Sequence, residues 1–423
     1  MVCRSAAIDV QAPSRSLRHT WRRLLNFGYA REGLLAEGQQ QIARAQREIG
    51  FEYIRFHGIF DDSVQFYDED EDGKPRRNFL YIDLLLDFLV SQGFRLYIEL
   101  GLMPRALKKY DVFVLNRDSN FSVAVDTGKW RETVGLSIRH WIARYGRSVV
   151  REWRFTTIGL HVPTFTVVTF EEFYAHYLAS YQAVKEAAPA LRFGGPGGFA
   201  SIAWNSDIFL DFLRFAKENH CFPDFITTQN YPHQGLEMDR EFMRISKSQD
   251  FLPAARSGDR HFARNLLKRI RHLLEAAGEP DCPIWMEEWN STLWQRDLSG
   301  DTCFKAAWRC KNITENYDRS EAFGYWLLTD FMEERGSFLQ TFHGGPGVLV
   351  GAALPGGGRD FPAAYDTQTA QGCALPARPV RWLTASQRRA AIDRIHTNLS
   401  VAVRLLLFSI FCMSSIYPIF LLR

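Results

Sequence analysis

Cysteine is scarce, with seven in 423 residues at irregular spacing and no CxxC pair. A disulfide framework or a zinc site is therefore not expected, and the thiols read as reduced and buried. No GxGxxG turn follows the first strand-like run, and no HxH or HExxH spacing occurs. Neither a dinucleotide nor a metal is indicated, and no cofactor is expected. An excess of one charge is also missing: 51 Lys and Arg stand against 48 Asp and Glu, a balance of +3. The one dense basic stretch runs from Arg15 to Arg23, too little for a nucleic-acid footprint, so nucleic acid is not expected as a partner. The start of the chain shows no apolar run ahead of a small-residue cleavage site, which points to a cytoplasmic protein. One long apolar run does occur, at 405–422. Its 18 residues sit at the lower limit for a membrane span, and Ser409, Ser414, Ser415 and Pro418 interrupt it. A C-terminal membrane anchor, a buried helix and a truncated or misread gene end all stay open.

The composition is otherwise that of a chain with a large core, 46% apolar and 14% aromatic. Short β-rich runs alternate with longer helical patterns, the mark of repeated βα units on a parallel sheet. Strands are expected at 24–30, 53–60, 95–103, 153–160, 192–198, 224–232, 283–290 and 322–331. Helices are expected at 34–49, 81–92, 130–145, 170–187, 208–219, 261–277 and 303–317. Within the second helix Leu84, Leu85, Phe88 and Leu89 form an apolar stripe suited to covering a sheet. Eight parallel strands with right-handed crossovers close most economically into an α/β (β/α)8 TIM barrel. A doubly wound open sheet is the rival. The expected organisation is an N-terminal extension at 1–23, the barrel at 24–349, a Gly- and Pro-rich linker at 350–400 and an apolar end at 401–423, an irregular C-terminal tail.

In such a barrel the chemistry lies where strands end. The second strand closes on Arg55-Phe56-His57-Gly58, the third carries Glu99, and the sixth closes on Gln229-Asn230-Tyr231-Pro232. The seventh carries Glu287-Glu288-Trp289-Asn290, and Trp326, Glu333, Glu334 and His343 follow. Carboxylates, aromatic platforms, amides and histidines converging on one mouth suit a carbohydrate, whose rings stack on Trp or Tyr and whose hydroxyls need paired hydrogen bonds. Glycoside hydrolysis commonly uses two carboxyl groups. Adjacent side chains on a strand point to opposite faces, so one of Glu287 and Glu288 can enter the mouth. The expected register puts Glu288 and Met286 inward and Glu287 towards the helices. Trp289 and Trp326 are candidate stacking platforms, and His57 and His343 candidate contacts to hydroxyls. The run Asp68 to Asp72 reads as an exposed acidic loop.

At these residues the sequence resembles glycoside hydrolase family 39, the retaining β-xylosidases and α-L-iduronidases, from about Leu24 to Leu349. The resemblance rests on Tyr53 to Phe60, Glu99, Met103-Pro104, Phe193 to Pro196, Glu288 to Ser291, Trp326, Asp330 to Glu334, and Phe342-His343-Gly344-Gly345. It implies that Glu288 is the nucleophile of a Thr-Glu-Trp-Asn segment, and that His57 and the turn with His343 line a sugar pocket. The family's Trp-x-Phe-Glu-x-Trp-Asn-Glu-Pro segment, whose second Glu is the acid/base, reads here Trp153-Arg154-Phe155-Thr156-Thr157-Ile158-Gly159-Leu160-His161. The Asn-Glu pair is replaced by Gly159 and Leu160. His161 is the candidate substitute acid, since imidazole titrates in the working range. Gln229 stands where the family has His, and the family's accessory β-sandwich is not recognisable after Leu349.

The expected function is retaining hydrolysis of xylosides or related glycosides, weakened by the missing acid. The alternative is a catalytically inactive barrel that binds or senses sugar.

Overall fold

A computed structural model describes residues 18–113, 119–232, 257–292 and 302–328. All eight expected strands form: β1 (Leu24–Tyr29), β2 (Tyr53–His57), β5 (Arg95–Leu100), β6 (Arg154–Thr157), β7 (Arg192–Phe199), β8 (Phe225–Asn230), β9 (Ile284–Trp289) and β10 (Ala322–Tyr325). They pair in parallel in the closed order β1-β10-β9-β8-β7-β6-β5-β2, with β2 returning to β1. The remaining two strands, β3 (Tyr67–Glu69) and β4 (Pro75–Arg77), form an antiparallel hairpin. The acidic run lies on this hairpin and its turn, with Glu69 held by Lys129 at 2.9 Å.

Seven long helices fall where the apolar periodicity puts them: α1 (Ala36–Ile49), α2 (Leu80–Ser91), α3 (Thr127–Tyr145), α4 (Phe170–Ala187), α5 (Ser206–Glu218), α6 (Phe262–Ala276) and α7 (Cys303–Asn316). Their starts have local chemical causes. The Asp126 carboxylate accepts from the amides of Gly128 and Lys129 at 2.8 and 3.0 Å, and Thr169 with Glu172 makes a reciprocal capping box ahead of α4. The covering stripe of α2 differs from the expected one. Ile82, Leu85, Leu86 and Leu89 are buried, whereas Leu84 is 52% exposed. These positions keep the i, i+3, i+4, i+7 spacing, rotated one step around the helix.

Two cores result. Between strands and helices lies a large apolar layer that includes Phe27, Phe56, Phe155, Phe193, Met286 and Trp289. Inside the barrel a smaller cluster of Leu24, Tyr53, Tyr97, Phe225, Trp285 and Ala322 plugs the lower half. Side chains two residues further along the same strands, Asn26, Arg55, Glu99, Thr227 and Glu287, form the buried layer above. Cys221 and Cys282 are free thiols. Among the described residues no helix is long and apolar enough to cross a membrane. The 405–422 segment and the linker lie outside the described residues.

Candidate active site

The site is built by strand β9 and by a break in its pleat. Thr228 and Gln229, consecutive on β8, pair with Met286 and Glu288, and Phe323 and Tyr325 of β10 pair with Met286 and Trp289. Against both neighbours β9 therefore carries one extra residue, a β-bulge, which re-aims side chains locally. Both Glu287 and Glu288 consequently enter the barrel. The expectation that Glu287 faces the helices and Met286 the interior is reversed: Met286 is in the outer core, and Glu287 receives a 2.7 Å hydrogen bond from the interior Tyr97. Gly324 makes room for the bulge. A Cβ there would lie 2.3 Å from the Glu287 carbonyl oxygen and 2.7 Å from Asn26 Nδ2, the atom that binds that carbonyl.

Glu288 lies at the mouth in a dense polar cradle. Its Oε1 accepts from Arg55 at 2.6 Å and lies 3.3 Å from His57 Nε2, while its Oε2 accepts from the Tyr231 hydroxyl at 2.9 Å. Arg55 is fully buried and forks to a second carboxylate, Glu99, at 2.5 Å. His57 Nδ1 meets the other Glu99 oxygen at 2.8 Å, and its ring packs on Trp326 with centroids 4.9 Å apart. Two cations and two carboxylates thus compensate one another in a buried site. Burial works against charge on Glu288, but the Arg55 charge and the His57 hydrogen bond outweigh it and hold the carboxyl at about 2. Burial also opposes charge on His57, yet Glu99 and Glu288 lift it to about 9, so it is an imidazolium at neutral pH. Glu99 is held below its ordinary value against burial by His57 and Arg55.

Gln229 is 6% exposed on the inward face of β8, beside Glu288 in register, and its Oε1 has no hydrogen-bond partner. A buried unsatisfied acceptor at a mouth is what a ligand hydroxyl would complete. Trp289 is corrected: its ring stacks on Trp308 of α7 at 5.0 Å and meets Tyr325 edge-on at 5.3 Å, so it is packing on the helix side and not a platform. Its neighbour Glu288 faces the interior, so alternation along the strand turns Trp289 to the helices. Trp326 does stand at the mouth. Glu333, Glu334 and His343 lie outside the described residues.

At the end of β6, Leu160 is wholly buried in the outer core. A Cβ on Gly159 would lie 2.4 Å from His161 Nδ1, so that position holds no side chain. His161 packs its ring on Phe199 at 4.4 Å and Phe165 at 5.4 Å, and Phe199 in turn meets the Tyr231 ring edge-on at 6.1 Å. It is thus two side chains removed from Glu288. The members of this cluster that the sequence reading does not single out are Arg55, Asn26 and Tyr97, with Glu287 expected on the other face. Arg55 was legible, because it shares an inward face with His57 and two carboxylates on neighbouring strands need a buried cation.

A closed parallel barrel with an acidic cradle at the carboxyl ends of its strands is the build of a glycosidase-type (β/α)8 barrel. The chain belongs to glycosyl hydrolases family 39, whose model matches residues 5–356. It is 31% identical over 340 residues to a beta-xylosidase of Caldicellulosiruptor saccharolyticus, covering 79% of this chain and 66% of that one. A beta-xylosidase of Geobacillus stearothermophilus is 30% identical over 360 residues, with 82% and 68% covered. The crystal structure of a GH39 enzyme from Xanthomonas axonopodis pv. citri superposes with a TM-score of 0.69 at 25% identity, covering 79% of this chain and 64% of that one. The chain therefore spans about two thirds of the length of these relatives.

Proposed function

We propose that this barrel hydrolyses xylosides or related glycosides with retention, with Glu288 as nucleophile and without a carboxylic general acid. The observation that carries the reading is Glu288 itself, ionised at the mouth and oriented through both oxygens by Arg55, His57 and Tyr231. Its free lone pair attacks the anomeric carbon, the bond to the leaving oxygen breaks, and a glycosyl ester of Glu288 forms. Water then attacks the same carbon, gives up one proton to bulk solvent and returns the electron pair to Glu288. His57, Glu99, Gln229 and Tyr231 supply donors and acceptors for sugar hydroxyls, and Trp326 an aromatic face.

Gly159 and Leu160 offer no proton at the end of β6, so departure of a poor alkoxide loses assistance worth ~10²–10⁴-fold. His161, the candidate substitute acid, packs on Phe199 and belongs to the rival outcome that the test below separates. The beta-xylosidase names of the relatives support the substrate class.

The test is a pair of substrates. A dinitrophenyl xyloside, whose leaving group needs no proton, is cleaved slowly by the wild type and not by Glu288→Ala, and xylobiose is nearly inert. Brisk xylobiose hydrolysis overturns the acid-free reading, and its loss in His161→Ala would assign the proton to His161. The bare end of β6 also favours a second reading, a sugar-binding or sensing barrel. Calorimetric sugar binding without cleavage of any aryl glycoside would establish that one instead.

A further inference from the structure

Among the described residues three carboxyls, Glu99, Glu287 and Glu288, lie in the barrel's buried polar layers, and of these Glu287 is the one without an ion-pair partner. Arg55 spends its Nη groups on Glu288 at 2.6 Å, Glu99 at 2.5 Å and Asn26 Oδ1 at 3.3 Å. His57 serves Glu99 and Glu288. Among the described residues Glu287 makes no ion pair, and the Tyr97 hydroxyl at 2.7 Å is its hydrogen-bond donor. Its other oxygen lies beside Gly197, whose φ of 71° favours glycine and where a Cβ would come within 3.2 Å of that oxygen. The carboxyl is thus enclosed next to the nucleophile, in a set of charges already balanced without it.

We infer that Glu287 is a positioning residue for the reaction proposed above: a proton-holding carboxyl whose ionisation shifts the balance between forming and hydrolysing the Glu288 glycosyl ester. The inference rests on that reading of Glu288. The charged and titratable groups acting on Glu287 are Arg55 of β2, Tyr97 and Glu99 of β5, and Glu288 on its own strand. Burial lifts it to about 7 against the opposing pull of Arg55 and Tyr97, so its proton is exchanged near neutrality.

The consequence has a definite sign. When Glu288 attacks, its negative charge passes to the departing aryloxide, and a second negative charge at Glu287 favours that loss. When water hydrolyses the ester, the charge returns to Glu288 and the same neighbour opposes it. Ionised Glu287 therefore speeds the first step and slows the second.

The experiment is the pH dependence of steady-state cleavage of a dinitrophenyl xyloside by the wild type and by the isosteric Glu287→Gln. In the wild type, kcat/KM rises and kcat, limited by ester hydrolysis, falls by about three- to tenfold as pH crosses neutrality. In Glu287→Gln both inflections vanish while the thermal transition shows an intact fold. Tyr97→Phe, which removes the donor to the ionised form, moves both inflections to higher pH. Inflections absent from the wild type or retained in Glu287→Gln overturn the inference and leave the role of Glu288 standing. Absence of any cleavage that depends on Glu288 overturns both.

Discussion

Arg55 and Glu288 hold each other from β2 to β9 at 2.6 Å, and the same guanidinium holds Glu99 at 2.5 Å, so one fully buried cation fixes two carboxylates on two strands. Burying such groups is costly, and the arrangement persists because each charge finds a partner with good geometry. Removing the shared partner strands both carboxylates.

Arg55→Met is accordingly expected to lower stability by ~3–5 kcal/mol, measured by chemical denaturation at pH 7. Arg55→Lys should recover little, because a single ammonium cannot fork to Glu99, Glu288 and Asn26 at once. Full recovery by lysine would show that the fork contributes nothing.

Stability should fall in two stages above about pH 4.5. Glu287 is raised from an ordinary 4.5 to about 7, so its contribution is complete below 4.5 and is lost as pH climbs through 7. His57 is raised from 6.5 to about 9, so its contribution is complete below 6.5 and is lost as pH climbs through 9. Glu288 has the opposite sign: lowered to about 2, it stabilises above 4.5 and ceases to as pH drops through 2. Urea midpoints against pH should lose the earlier stage in Glu287→Gln and the later one in His57→Gln. Unchanged curves in both variants would contradict these assignments.

The two tryptophans once read alike should behave oppositely. Trp289→Ala opens a cavity against Trp308 and costs ~3–5 kcal/mol, with ligand affinity of the folded fraction preserved. Trp326→Ala, at the mouth against His57, should weaken sugar binding or raise KM with a smaller loss of stability. Calorimetric titration alongside thermal denaturation separates the two effects.

How far the sequence carries the reader depends on the link in question. Strands and helices follow from period and length, and each of the eight strands forms at the expected place, seven of them shorter than expected and the one at Arg192–Phe199 one residue longer. Expected ends such as 224–232 and 153–160 overrun because apolar residues such as Tyr231, Ile158 and Leu160 continue into buried loops. Glu288, His57, Glu99, Gln229, Tyr231 and Trp326 stand out in the sequence because they lie at or next to strand ends, and their role as a sugar site is the proposal made above. The bulge was not legible, since an inserted residue leaves no mark in hydrophobic alternation when both carboxyls and both flanking residues, Met286 and Trp289, are buried. One shifted register explains the misplacement of Met286 and Glu287 together, whereas Trp289 faces the helices in either register.

Closure of the barrel brings Leu25 against Tyr325, and Arg18 and Arg23 against Glu321. Almost the whole described chain intervenes between these partners, so sealing carries the cost of a long-range loop closure. Until the final strand arrives, β1 and β10's other neighbour β9 present bare edges able to pair with other chains. Ribosome-bound or C-terminally nicked forms ending before Ala322 are therefore the aggregation-prone ones, and chaperone dependence should track delivery of that last strand.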